Sequence, residues 1–147
     1  MDENESVRRQ AARVLDTRAN LGATGPVAAR GTVHLQVLGM GGVPATGVSA
    51  VVVNVTVLGS KAAGSVTAYP DGTTIPTTSN LNFTIGQTIP NLVIAKIGSN
   101  GKIALTNNSG GTLQLLADVA GYYLAGTPAT PGAYAPLTPA RVLEVGQ

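Results

Sequence analysis

Cysteine is absent from this chain, which excludes disulfides, thiolate metal sites and cysteine nucleophiles together. Tryptophan is absent too, and the aromatic residues are only Phe83, Tyr69, Tyr122, Tyr123 and Tyr134. That is too few for the stacked platforms on which nucleic-acid binders hold bases. The single histidine, His34, leaves a catalytic triad or a His-based metal centre without a second imidazole. Between residues 31 and 140 the only formally charged side chains are Lys61, Asp71, Lys96, Lys102 and Asp118. An active site needs acids, bases and nucleophiles converging on one pocket, and this span has few to offer. No apolar run reaches the roughly 20 residues that cross a bilayer. The opening Met1-Asp2-Glu3-Asn4-Glu5 is acidic and lacks the apolar stretch of a secretory signal. Catalysis, metals, cofactors, nucleic acid and membrane insertion are therefore not expected.

What is present is strand chemistry. The 147 residues suit one domain, which at about 150 residues buries some 68–70% of its unfolded surface and needs no covalent staple. Net charge is only +2 despite a pI near 9.2, because Asp2, Glu3, Glu5 and Asp16 are interspersed with the early arginines. Val33, Leu35 and Val37 alternate with His34 and Gln36, the period of a strand with one buried face. Val51, Val53, Val55 and Val57 share a face, and Val52 makes the start of that run apolar on both sides, as in a central strand. Further strands are expected at 65–69, 79–83, 91–97, 102–106 and 112–119. Asp71-Gly72, Asn100-Gly101 and the polar run 107–111 between them are turn sequences that reach positive φ easily. Eight or so short strands without a helical period predict an all-β fold, a single antiparallel sandwich or jelly roll.

The domain organisation follows. Residues 1–11 read as a flexible arm, 12–125 as the β-sandwich, and 126–147 as an extended Pro/Gly-rich tail. Ala12-Arg13-Val14-Leu15-Asp16 near the start returns as Ala140-Arg141-Val142-Leu143-Glu144 near the end. The second copy is expected to lie beside 12–18, either within one domain or by exchange between neighbouring chains.

Four segments carry a resemblance. Arg13-Val14-Leu15-Asp16-Thr17-Arg18 is the first. Asn80-Leu81-Asn82-Phe83 followed by Gly86-Gln87-Thr88-Ile89-Pro90-Asn91-Leu92-Val93 is the second. Ala117-Asp118-Val119-Ala120-Gly121-Tyr122-Tyr123 is the third, and Pro136-Leu137-Thr138-Pro139-Ala140-Arg141-Val142-Leu143 the fourth. Taken in this order they resemble a β-rich accessory module of actinobacterial secreted and cell-surface proteins, often in tandem or attached to a hydrolase. The resemblance implies a display or attachment role and brings no catalytic residues with it. A short free-standing version beginning at Met1 is what a phage would use to decorate its capsid.

Individual residues sharpen this. Asp118 interrupts an apolar strand, and a carboxylate there is exposed or paired, since burial alone is costly. The reading assigns it a structural ion pair with Arg13 or Arg141 that fastens a terminal strand to the sandwich. Lacking a second carboxylate of equal standing, it does not suggest the acid pair of a glycosidase. His34 reads as a solvated surface side chain, and Asp71 as a turn residue bonding its own backbone. Asn54, Asn82 and Asn107 open glycosylation triplets of little meaning in a bacterial or phage protein. Tyr122 and Tyr123, with Asn80 and Asn82, are the candidate binding surface. The expected function is a non-enzymatic structural protein on the virion surface, a homo-oligomer held to a larger assembly such as a capsid. The alternative is a polysaccharide-binding or adhesion domain of a secreted, extracellular protein.

Overall fold

Valine-rich alternation and glycine-bearing turns produce eight strands in a computed structural model that describes residues 12–126 and Leu143. The strands are β1 (Ala12–Asp16), β2 (Thr32–Gln36), β3 (Val48–Leu58), β4 (Gly64–Pro70), β5 (Leu81–Phe83), β6 (Ile89–Lys96), β7 (Lys102–Ser109) and β8 (Gln114–Leu124). The one other regular element among the described residues is a short 3-10 turn at Thr17–Ala19. The expected arm at 1–11 lies outside the described residues. So does the tail beyond Gly126, Leu143 excepted.

Two four-stranded antiparallel sheets form, in the orders β1-β8-β3-β6 and β2-β7-β4-β5. The pairings are nested: β1 with β8, β2 with β7, β3 with β6, β4 with β5. The chain is thus one long hairpin folded over itself until its four levels alternate between two layers. That is jelly-roll connectivity, the specific form of the expected sandwich. The inward faces meet in a single core. Val51, Val53, Val55, Val57, Leu115 and Ala117 come from one sheet, and Leu35, Ile103, Leu105 and Val66 from the other, all at most 1% exposed. At roughly 1.5–3 kcal/mol per fully buried aliphatic side chain, this layer is the main source of stability.

Two strands differ from expectation in an informative way. The polar run 107–111 was a turn on sequence grounds, yet β7 continues through Ser109. Asn107 is fully buried and donates to the carbonyls of Ala28 (3.0 Å) and Gly111 (2.9 Å), while its own carbonyl accepts from Ser109 Oγ at 2.7 Å. A side chain so satisfied replaces missing strand partners rather than making a turn. Likewise β8 does not stop at Val119 but runs to Leu124. The long β3 offers a ladder that far, and a register shift between Val52 and Val53 inserts Ala120 as the extra residue.

Candidate functional site

The first candidate is the seat of β1. A register shift at Val14 turns the successive Val14 and Leu15 both inward, 3% and 0% exposed, as a bulge does. Gly22 and Gly41 bring loops against that strand: a Cβ on Gly22 would stand 2.4 Å from the Val14 carbonyl, one on Gly41 2.8 Å from Val14 Cγ1. Arg13 faces outward opposite Asp118. Its Nε donates to Oδ1 at 2.9 Å and its Nη2 to Oδ2 at 3.2 Å, a two-pronged pair. Its hydrogen bonds to Asp118, and then the charge of that carboxylate, raise the Arg13 guanidinium above its ordinary value. Beyond the strand, Asp16 accepts from the Arg18 side chain at Nε and Nη2 and from its backbone N–H, all at 3.0 Å. Those bonds from Arg18 hold the Asp16 carboxyl below the usual range, against the desolvation that would raise it. Thr17 Oγ1 donates to Gln114 Oε1 at 2.6 Å and accepts from the Leu115 N–H at 2.9 Å. The predicted fastening of Asp118 by Arg13 is therefore present, while Arg141 lies outside the described residues.

The outer face of the same sheet is the second candidate. Cross-strand register lays its residues in rows. One row reads Leu92, Asn54, Asp118, Arg13; its neighbours read Ile94, Val52, Gly121 and Lys96, Ala50, Tyr123. The β1 end is ionic and the β6 end apolar, with Leu92 58% and Ile94 36% exposed. Tyr122 and Tyr123, predicted as one surface, diverge here. After the bulge Tyr123 stands over Ala50 on the outer face, whereas Tyr122 pairs with the buried Val51 position and reaches solvent at the sandwich end, 43% exposed.

Asn82 lies on β5 of the other sheet and Asn80 just before it in the β4–β5 connection, so the four candidate residues do not form a single row. Asn80 Oδ1 accepts from the Ala68 N–H at 2.7 Å, and its carbonyl accepts from the Asn91 amide. These bonds tie the β4–β5 connection to β6 across the open side of the sandwich. Asn82 is exposed opposite Ser65, and its side-chain oxygen accepts from Ser79 Oγ at 3.0 Å.

The outer face of the β2-β7-β4-β5 sheet is hydroxyl-rich. Tyr69 and Thr32 both meet Thr106 Oγ1, at 2.9 and 2.8 Å, and Asn108 donates to Thr67 and Ser65. At its rim sits a cluster that sequence reasoning missed. His34 is exposed as expected, but its Nδ1 lies 2.6 Å from Asp71 Oδ1. A carboxylate only accepts, so Nδ1 carries the proton. Asn100 donates to the other oxygen at 2.8 Å. Asp71 is accordingly no mere turn residue: it is 8% exposed and joins three loops and strands. Its burial raises its pKa, but the bonds from His34 and Asn100 outweigh that and hold it low. The signal was faint, since positions 34, 71 and 100 are far apart in sequence and each looks ordinary alone.

Among the described residues no group of three His, Cys, Asp or Glu is placed to hold a metal ion, and no helix is long and apolar enough to cross a membrane. A scan against family models, a search of curated proteins and a search of solved structures each return no match for this chain.

Proposed function

We propose that this protein is a non-enzymatic structural module that attaches to the exterior of a larger assembly, a phage capsid decoration protein being the specific form. The observation that carries the reading is the outer face of the β1-β8-β3-β6 sheet. There Leu92, Ile94 and Val52 adjoin one another across β6 and β3 with no charged side chain between them, Leu92 58% and Ile94 36% exposed. Exposed apolar residues that adjoin one another in this way mark interaction surfaces. The near-neutral body adds little repulsion between neighbouring copies, which supports a homo-oligomer. Jelly rolls serve capsids and lectins alike, so the fold itself does not favour one reading over the other.

The alternative, polysaccharide binding, has one observation in its favour: Tyr122 presents an exposed ring at the sandwich end. The hydroxyl-rich face supports it less, because those hydroxyls bond one another. Gold-labelled antibody against the protein, applied to phage particles and to host cells, tests the choice. The reading expects label on the outer surface of virions. Label confined to the cell wall, with retention of the purified protein on wall polysaccharide, would overturn it.

A further inference from the structure

Strand β6 is the longest sheet edge among the described residues. Of the other edge strands, β5 has three residues and β2 five. β1 has five residues and its Asp16 end is occupied, since Asp16 and Leu21 exchange backbone bonds at 2.9 and 3.0 Å. Strand β6 has eight residues. The Ile97 N–H donates to the Ser49 carbonyl at 3.0 Å, which sets the phase of the strand. Backbone groups alternate in direction along a strand. Those of Ile89, Asn91, Val93 and Ala95 therefore face β3, and those of Pro90, Leu92, Ile94 and Lys96 face away from the sheet. Among the described residues none bonds these outward groups. Pro90 sits where its missing N–H removes no ladder bond, as edge prolines do.

Proline and lysine are devices that blunt edges. Here they stand only at the two ends, and the middle, Leu92 to Ile94, is open and apolar. We infer that β6 pairs antiparallel with β6 of a second copy of this chain, Leu92 opposite Ile94, making one continuous eight-stranded sheet about a two-fold axis. This inference rests on the reading that the protein self-associates, and names the surface that does it. The register follows from the donors together with the cross-strand side chains. With Leu92 opposite Ile94, Lys96 falls opposite Pro90. The outward N–H groups of Leu92, Ile94 and Lys96 then each meet a carbonyl: that of Ile94, Leu92 and Pro90 respectively in the other copy. Sliding by two residues either way centres the pair on Leu92 or on Ile94 and moves Lys96 off Pro90. Centred on Leu92, Lys96 lies opposite Thr88, outside the strand, and one donor loses its place in the ladder. Centred on Ile94, the three donors are still met, but Lys96 stands against Leu92 and the Leu92–Ile94 side-chain pairs are lost. The chosen register also keeps the two lysines at opposite ends and sets Leu92 of each copy against Ile94 of the other on the outer face. Cross-strand apolar pairs of this kind are the unit of sheet stabilisation. The resulting contact is isologous and closed, so it gives a dimer rather than a fibre.

The test uses the full chain. Sedimentation equilibrium is expected to give twice the chain mass, and Ile94→Pro to halve it. That substitution repeats at 94 what Pro90 already does at 90, removing an outward donor while sparing the bonds to β3. The far-UV spectrum and melting temperature of Ile94→Pro should stay close to those of the parent. Independently, Leu92→Cys chains are mixed with Ile94→Cys chains under oxidation. Hydrogen-bonded antiparallel partners stand about 5.5 Å apart at Cα, within disulfide reach, and the parent has no cysteine to compete. A disulfide joining the two kinds of chain is expected. An oligomer that survives Ile94→Pro, or that yields no such mixed disulfide, overturns the β6 pairing and leaves self-association standing. A parent chain that stays monomeric at every concentration overturns both.

Discussion

Removing the Asp118 carboxylate separates two accounts of how β1 is held. The Arg13–Asp118 pair has good two-pronged geometry, at 2.9 and 3.2 Å, but Arg13 remains 43% exposed and Asp118 17%. Exposed pairs contribute roughly 0.2–1 kcal/mol, whereas breaking a buried one costs about 3–5 kcal/mol. After Asp118→Ala the guanidinium still reaches water, and Asp16 Oδ2 is 3.8 Å from its Nη1, so no charge is stranded. The expected loss is therefore near 1 kcal/mol, a drop of about 2–4 °C in melting temperature for a chain of this size. A double-mutant cycle isolates the pair: parent, Arg13→Ala, Asp118→Ala and the double variant, each unfolded in urea at low and at high salt. The coupling should be about 0.5–1 kcal/mol and should shrink with salt. A coupling above about 3 kcal/mol would mean the pair is shielded from solvent, and a coupling of zero would mean β1 is seated by Val14 and Leu15 alone; either result refutes the reasoning.

Other substitutions probe the frame around the site. Asn107→Ala removes buried bonds to the carbonyls of Ala28 and Gly111 and from Ser109 Oγ. Each carbonyl keeps one other donor, the Gly31 N–H and Ser109 Oγ respectively, so the loss in a urea titration should be about 2 kcal/mol. Gly41→Ala and Gly42→Ala both place a side chain at positive φ (+58° and +86°), but only the first meets β1, with Val14 Cγ1 at 2.8 Å. Calorimetry should show Gly41→Ala as the worse by about 1 kcal/mol or more. Asp71 and Asp16 both titrate below the ordinary carboxylate range when folded, so their contribution is complete above about pH 4, the unfolded value. It is lost as pH falls through their lowered folded values. Thermal melts should decline steeply below about pH 4, and Asp71→Asn should flatten that decline.

Much of the fold was legible because valine alternation and turn residues are local signals. Val51 to Val57 announced a buried strand face, and Val52 announced that the strand is central, as β3 is, between β8 and β6. The single carboxylate in an apolar run pointed to the Arg13–Asp118 pair because so few guanidinium groups were available. What local reading missed depended on distant partners. Asn107 resembles a turn residue until Ala28 is beside it, and Asp71 resembles one until His34 and Asn100 arrive. The bulge at Ala120 leaves no mark in the sequence beyond Gly121, yet it sends Tyr122 and Tyr123 to different surroundings. The nesting of strand pairs, and so the exposed edge of β6, emerges only once all eight strands are placed.

The account turns on the outer face of the β1-β8-β3-β6 sheet being the working surface. Hydroxyl-radical footprinting of the protein, free and in its native assembly, measures this directly through side-chain oxidation read by mass spectrometry. Leu92 and Ile94 should lose reactivity on assembly, while exposed His34 and Ile75 should keep theirs. Protection of His34 and Ile75 with Leu92 and Ile94 still oxidised would contradict the account.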